Sequence, residues 1–369
     1  MLALVGSLAL TACGSDDPVT HPWRPGGVPT DVPTVPEGIE GRSGSIAGAG
    51  SSAQESAMQA WIAGFGAFSP DATVAYDPVG SGGGRTQFVE GGIAYGGTDA
   101  PLDEEELAGA QERCAPGEVV EVPLYISPIA VMFNLDGIDL LDMSPGTVAL
   151  IFDRQITRWD DPRIAAENPG VDLPDLAITP VNRSDESGTT ENFVEYLHAA
   201  APAEWPHEVS GSWPLSGGQS AQGNSGVVQT VNDGVGAITY ADASKAGGLG
   251  TAALLVGEEY VPFSPEAAAA VVDASPRATD RGATSIVVEL DRTTTAEGAY
   301  PLVLVSYTLA CTAYDDAEDA GLVHAFLSFV ASETGQEMAG VTAGSAPISE
   351  GLREQVLDIL EPLDPEARP

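Results

Sequence analysis

The segment VNRSDESGTTENFVEYL, residues 181–197, joins three kinds of local structure within seventeen positions. It opens with a short β-type start, passes through a polar Ser-Gly-Thr turn, and from Phe193 continues with apolar residues at helical spacing. The same plan returns in TVAYDPVGSGGGRTQFVEGG, residues 73–92, and in IAYGGTDAPLDEEEL, residues 93–107. Strands that alternate with helices predict an α/β fold whose sheet is covered by helices on both faces.

Length and two long β-rich runs predict a division of this fold into two lobes. The chain has 369 residues, which is ample for two domains. The β-rich runs begin at Val119 and Tyr300, and we place chain crossings in them, near residues 122–127 and 300–302. Two lobes joined by two crossings predict a ligand cleft between them. The predicted lobes are residues 43–122 together with 302–369, and residues 123–301.

The N-terminal run MLALVGSLALTAC is apolar and ends in small residues before Cys13. This pattern resembles the lipobox of a bacterial lipoprotein, which implies that residues 1–12 are a removed signal peptide and that Cys13 carries lipid. The run is shorter than the roughly 20 residues that span a bilayer. Residues 13–42 then read as a Pro-rich tether. The expected location is extracytoplasmic, anchored to the cell membrane; the alternative is a buried strand with an ordinary cysteine.

The net charge of the chain limits the classes of partner that it can bind. Fourteen Lys and Arg against 54 Asp and Glu give a formal net charge of −40. Binding nucleic acid by neutralising phosphates needs a basic face, so no nucleic-acid partner is expected. An acidic surface is typical of a solvated, secreted monomer. Of the three cysteines, Cys114 and Cys311 remain for a disulfide in an exported protein, and two buried free thiols are the alternative.

Three loops place Gly, Ser or Thr at the start of a predicted helix: GAGSS (residues 48–52), GSGGG (80–84) and SGTT (187–190). A helix N-terminus offers free N–H groups and the positive end of its dipole, glycine allows close approach of a ligand, and hydroxyls add donors. Each loop alone is typical of ordinary helix capping and turns. Three of them, with an arginine beside one, favour a site for a small oxyanion.

Arg183, Asp185 and Asp99 refine that hypothesis. The planar fork of Arg183 matches an oxyanion, and Asp185 would hold the fork in place; the alternative is a surface ion pair. Asp99 would be an ordinary helix cap, or else it would repel an anion, unless the anion carries a proton. HPO₄²⁻ and H₂PO₄⁻ can donate a hydrogen bond to a carboxylate, whereas sulfate cannot.

Taken together, these motifs resemble the phosphate-binding proteins of bacterial high-affinity phosphate ABC transporters. The matches run in order as GAGSS, VGSGGGRTQF, YGGTDAPL, TRWDDP, VNRSDESGTT, GNSGVVQTV and GAITY. The resemblance implies a type II periplasmic-binding-protein fold that closes on one phosphate and passes it to transmembrane permease subunits. The ligand residues it implies are Ser52, the Ala53 N–H, Ser81, Asp99, Arg183, Ser187, Gly188 and Thr189, with Asp185 bracing the arginine. The family often has Thr-Phe where this chain has Ser52-Ala53.

Three alternatives remain open. A phosphate-ester enzyme would need a base beside Ser81 or Ser187, yet none of the four histidines lies in a motif, no cluster has metal-ligand spacing, and no P-loop is present. We therefore expect no catalysis, no metal and no cofactor. A binding protein for another oxyanion is disfavoured by Asp99. A signalling or adhesive lipoprotein could keep the fold without the ligand.

Overall fold

Strands and helices alternate along the part of the chain that the computed structural model describes, which is residue 35 and residues 38–363. The strands are β1 (Ser43–Gly50), β2 (Asp71–Asp77), β3 (Tyr95–Thr98), β4 (Val119–Phe133), β5 (Leu140–Met143), β6 (Thr179–Arg183), β7 (Gln219–Ala221), β8 (Ala237–Asp242), β9 (Gly250–Val256), β10 (Glu259–Val261) and β11 (Val303–Cys311). The helices are α1 (Glu55–Phe68), α2 (Ser81–Val89), α3 (Glu104–Cys114), α4 (Pro145–Phe152), α5 (Pro162–Glu167), α6 (Gly188–Ala200), α7 (Gly223–Asp233), α8 (Pro265–Ala274), α9 (Ala317–Ala331), α10 (Glu333–Ala343) and α11 (Glu350–Leu360). The predicted signal peptide, Cys13 and most of the tether lie outside the described residues. Within residues 38–363, no helix has both the length and the apolar character needed to cross a bilayer.

One mixed sheet runs through the molecule in the order β2-β1-β3-β11-β4-β8-β6-β7, with β9 beside the end of β4 and β5 and β10 beside β9. Strand β4 is the connecting element. Its residues 119–128 pair with β11, and its residues 129–133 pair with β8. All fifteen of its residues are buried, which explains the continuous apolar run in the sequence. The first predicted crossing, near residues 122–127, thus lies in a strand shared by both halves of the sheet.

Helix α1 packs on the β1 half of the sheet. The spacing of Ala57, Ala60, Trp61 and Phe65 predicts an amphipathic helix, and all of them except Ala60, which is partly buried, lie in the core. Trp61 meets Tyr125 of β4 edge to face at 6.2 Å between ring centroids, and Phe65 meets Phe326 of α9 at 5.5 Å. Each such buried side chain contributes about 1.5–3 kcal/mol to folding.

Two boundaries differ from the sequence prediction. The amphipathic pattern over residues 320–339 predicts one helix, but α9 ends at Ala331 and α10 begins at Glu333. Ser332 lies between them, and its hydroxyl donates to the Phe329 carbonyl and accepts from the Gly335 N–H, which satisfies one end of each helix. The strand predicted from Tyr300 begins only at Val303.

Cys114 and Cys311 form a disulfide, with their Cα atoms 5.2 Å apart. Cys114 ends α3 and Cys311 ends β11. The bond therefore joins residues 197 positions apart within the β1 half of the sheet, and the alternative of two free thiols is wrong.

Candidate functional site

The starts of α2, α6 and α7 converge with the turn that precedes α1. A Cβ atom on Gly188 would lie 2.7 Å from both Ser81 Oγ and Asp99 Cβ, so only glycine allows this approach. On the other side, Ser52 Oγ lies 3.0 Å from both the backbone N and the Nδ2 of Asn224. The three glycine- and hydroxyl-rich loops of the sequence analysis are thus brought together in one buried place.

Every predicted ligand residue is buried, and Asp185, the predicted brace of Arg183, is partly buried. The exposed fraction does not exceed 3% for Ser52, Ala53, Ser81, Asp99, Arg183, Ser187 and Thr189. Gly188 is buried as the first residue of α6. The structure therefore groups these residues as the sequence predicts, away from bulk water, where oriented dipoles and charges act most strongly.

Three serine hydroxyls have a hydrogen left to donate. Each one already accepts an N–H: Ser52 from Asn224, Ser81 from Asp99 N at 3.1 Å, and Ser187 from Thr190 N at 3.2 Å. A hydroxyl carries one hydrogen and two lone pairs. Within residues 38–363 no acceptor takes the hydrogens of these three serines, so the geometry leaves three O–H donors for a ligand.

Arg183 ends β6 and is held by Asp185, two residues later. The Arg183 Nε donates to Asp185 Oδ1 at 2.8 Å, and its Nη2 donates to Oδ2. The Gly223 N–H also donates to Asp185 Oδ1, at 3.0 Å. The two side chains are only 1% and 12% exposed, so the alternative of a surface ion pair is wrong. Arg183 Nη1 is buried without a partner among the described residues, which leaves one charged donor.

Asp99 follows β3 and is not a helix cap. Asp103 fills that role for α3, in a capping box with Glu106. Asp99 Oδ2 accepts from Thr189 Oγ1 at 3.1 Å, whereas Oδ1 is buried and no hydrogen bond of ordinary geometry reaches it from the described residues. Burial raises the pKa of this carboxyl, while the hydroxyls of Ser51, Ser306 and Thr189 and the charge of Arg183 act in the opposite direction. Asp99 Oδ1 is thus an available acceptor among donors.

Two predicted ligand groups have other partners in this arrangement. The Ala53 N–H donates to Ser51 Oγ at 3.0 Å. Thr189 Oγ1 donates to Asp99 and accepts from Asn224 Nδ2 at 3.2 Å. Their polar groups are therefore less available than those of the three serines.

Asn224 is a site residue that sequence reasoning missed. It lies in the first turn of α7, it is fully buried, and it contacts Ser52, Thr189 and the backbone of Asp242. The signal that could have found it is GNSG, another glycine-led helix start, in which Gly223 has a φ of +71°.

Two ion pairs flank the site on its outer edge. Arg85 of α2 donates to Glu186 at 2.9 Å. Lys245, the only lysine in the sequence, donates to Glu55 of α1 at 2.8 Å. Burial acts to raise the pKa of Glu55, but the Lys245 and Ser225 side chains outweigh it and the pKa falls below its usual value.

Two of the four histidines have partners away from the site serines, and no metal cluster is found in the described part of the chain. His207 pairs with Asp153, and His198 bonds to the His207 carbonyl, so neither contacts a site serine. No group of three or more His, Cys, Asp or Glu residues within residues 38–363 is arranged to hold a metal ion.

Sequence comparison defines the class of protein. The chain matches the PBP superfamily domain over residues 35–334, and so belongs to that superfamily. Within it, the chain belongs to the PstS family of phosphate-binding proteins. It is 34% identical over 330 residues to the phosphate-binding protein PstS3 of Mycobacterium bovis (87% of this chain, 86% of that protein). It is 30% identical over 352 residues to the phosphate-binding protein PstS of Xylella fastidiosa (92% and 91%).

Solved structures agree on the fold. A high-affinity periplasmic phosphate-binding protein (PfluDING) bound with phosphate has a TM-score of 0.69 at 20% identity and covers 85% of this chain and 93% of its own. The phosphate-binding protein from Stenotrophomonas maltophilia has a TM-score of 0.67 at 18% identity, with 86% and 94% covered. These similarities confirm the predicted fold class, an α/β periplasmic-binding-protein fold with two lobes.

Proposed function

We propose that this protein binds one inorganic phosphate ion at the convergence of α2, α6, α7 and the turn before α1. The observation that carries the proposal is the set of available groups. Three serine O–H groups and Arg183 Nη1 donate, and Asp99 Oδ1 accepts. A protonated phosphate has oxygens for the donors and a proton for the carboxylate. A fully ionised sulfate would satisfy the donors but would meet Asp99 with repulsion.

The proposed ligand residues are those that the family resemblance implies. Ser52, Ser81 and Ser187 would donate through their hydroxyls, and Arg183 would donate through Nη1 with Asp185 as its brace. Gly188, Thr189 and Ala53 would contribute backbone N–H groups from helix starts, which favour anions. Use of the Ala53 N–H would require it to leave Ser51 Oγ.

We infer that closure of the two predicted lobes captures the ion. Ser52, Ser81 and Asp99 belong to the predicted lobe of residues 43–122 with 302–369, and Arg183 to Thr189 belong to residues 123–301. The continuous strand β4 would then act as one connection between the lobes. In the closed arrangement, charge-assisted hydrogen bonds replace the hydration of the ion.

We place the protein in transport rather than in catalysis. The relatives named above are binding proteins, and a solved relative from Clostridium perfringens with bound phosphate (TM-score 0.59, 18% identity) is described as a putative phosphate ABC transporter substrate-binding protein. Delivery of phosphate to the permease subunits of such a transporter is the matching role. The protein would act as a monomer outside the cytoplasmic membrane, anchored through lipid on Cys13. Phosphate signalling or adhesion on the same fold is the second candidate.

Calorimetric titration tests this function. Protein stripped of anion by unfolding and refolding is titrated first with phosphate and then with sulfate. We expect one phosphate per chain and no heat from sulfate. Binding of both ions would refute the role given to Asp99. Binding of neither would refute phosphate capture and favour the signalling or adhesive role.

A further inference from the structure

We propose that Asn224 is a positioning residue, which turns the Ser52 hydroxyl hydrogen toward the bound anion. This inference rests on the proposed function and adds a residue to it. Asn224 is not among the ligand residues that the family resemblance implies, and it need not contact the ion. Its role follows from its hydrogen bonds, which occupy the lone pairs of the Ser52 hydroxyl and one lone pair of the Thr189 hydroxyl.

The orientation of the Asn224 amide is fixed from outside the site. Asn224 Oδ1 accepts the backbone N–H of Asp242 at 2.8 Å. The Asp242 N–H can bond only to the amide oxygen of Asn224 and not to its NH₂ group. The Nδ2 group must therefore face the opposite way, toward Ser52 and Thr189. The side chain is fully buried, so water does not compete for these bonds.

Asn224 fills both lone pairs of the Ser52 hydroxyl. Its backbone N–H and its Nδ2 each lie 3.0 Å from Ser52 Oγ. A hydroxyl with both lone pairs occupied can only donate further. The Ser52 hydrogen is thereby directed to an acceptor that the described residues do not supply, which is the role of an oxyanion oxygen.

The same amide also orients the hydroxyl of Thr189, whose hydrogen points to Asp99 and not to the ligand. The second Nδ2 hydrogen reaches Thr189 Oγ1 at 3.2 Å, and Thr189 gives its own hydrogen to Asp99 Oδ2 at 3.1 Å. Asp99 Oδ1 then remains as the acceptor for a ligand proton. One asparagine thus prepares one donor and, through Thr189, one acceptor.

These contacts connect the two predicted lobes. Ser52 precedes α1, whereas Asn224 opens α7, 172 positions later. The neighbouring Ser225 adds a contact to Glu55 at 2.8 Å, without touching a site hydroxyl. The Ser52 hydroxyl is therefore oriented only when the starts of α1 and α7 meet, which couples closure to the readiness of the site.

Titration of Asn224→Ala with phosphate measures the effect. We expect binding about 10-fold weaker than wild type, since hydrogen bonds to two hydroxyls are lost. The control Ser225→Ala removes the neighbouring contact and should change affinity by less than about threefold. The phosphate affinity of the double variant Ser52→Ala with Asn224→Ala distinguishes a positioning role of Asn224 from a general structural role. If Asn224 acts largely through Ser52, the combined loss is clearly smaller than the product of the two single losses.

A second variant guards against a folding defect, because Asn224→Ala leaves the Asp242 N–H without its acceptor. Asn224→Asp keeps an oxygen for that N–H but replaces the donor by an acceptor. The Ser52 hydrogen would turn to the new carboxylate, and a negative charge would face the anion. We expect a loss greater than that of Asn224→Ala, with thermal unfolding of the anion-free protein recorded for each variant.

Each outcome decides the matter. If wild type binds no phosphate, the proposed function fails and this inference fails with it. If wild type binds while both Asn224 variants match it, the inference alone is overturned. Full additivity with Ser52→Ala would also overturn it, because the loss would then not pass through the Ser52 hydroxyl.

Discussion

Replacing Arg183 by alanine tests the electrostatic part of the site most directly. Two of the three guanidinium nitrogens bind Asp185, and only Nη1 remains for an anion. The direct loss is therefore one charge-assisted hydrogen bond, about 1.5–3 kcal/mol, which corresponds to about 10- to 150-fold in affinity.

The single variant should lose more than this direct term. Without Arg183, the Asp185 carboxylate keeps, among the described residues, the Gly223 N–H as its one partner, and it places an uncompensated charge beside the anion. We expect Arg183→Ala to weaken phosphate binding by about 100-fold or more. The double variant Arg183→Ala with Asp185→Asn removes that charge and keeps an oxygen for Gly223. It should bind phosphate more tightly than Arg183→Ala, with an affinity about 10- to 150-fold below wild type, as expected for the loss of one charge-assisted hydrogen bond.

Calorimetric titration at low temperature is the assay, because breaking a buried pair costs about 3–5 kcal/mol of stability and the variants must stay folded. Thermal unfolding of the anion-free proteins sets the usable range. An Arg183→Ala affinity within threefold of wild type would remove Arg183 from the ligand contacts. A double variant no tighter than the single one would refute the repulsion by Asp185.

Three further perturbations address other parts of the site. Asp99→Asn replaces the acceptor by a group that can also donate, so we expect sulfate binding to become measurable by calorimetry; continued silence of sulfate would remove Asp99 from selectivity. Gly188→Ala places a Cβ 2.7 Å from Ser81 Oγ and Asp99 Cβ and should weaken phosphate binding by about 5- to 150-fold, whereas Gly66→Ala, with open space around it, serves as the unchanged control. Burial raises the pKa of Asp242 to about 6 in the folded protein, so its stabilising contribution is complete below its unfolded value near 4 and is lost as pH rises through 6. The free energy of unfolding by denaturant is measured for wild type and for Asp242→Asn at each pH. The wild-type value relative to the variant should fall by roughly 2–3 kcal/mol between pH 4 and pH 7, and a difference independent of pH would contradict this assignment.

Much of the site was readable from the sequence, because its signals are local. Ser81 and Ser187 stand at helix starts that glycine and hydroxyl residues specify within four positions. Asp185 lies two residues from Arg183, close enough for the bracing contact to be inferred from spacing alone. The order of strands and helices followed from the hydrophobic periodicity, and the fold class followed from that order.

The features that escaped prediction depend on distant or competing partners. Asn224 meets Ser52 across 172 positions, and no local pattern specifies that pairing. The family resemblance implies the Ala53 N–H as a ligand group, but the hydroxyl of Ser51, two residues earlier, accepts that N–H in this structure. Ser332 fits the interior of a helical pattern equally well as a cap, and its bonds to Phe329 and Gly335 decide for two helices.

The single lysine gives this protein a chemical reporter at the edge of its site. Lys245 lies in the short helical turn after β8 and pairs with Glu55 in the first turn of α1, and its side chain is 17% exposed. Amine-acylating reagents must reach the amine, and the ion pair with Glu55 limits their access to it. Because the sequence has no second lysine, the rate of lysine acylation reports on the Lys245–Glu55 ion pair alone, and no label has to be engineered.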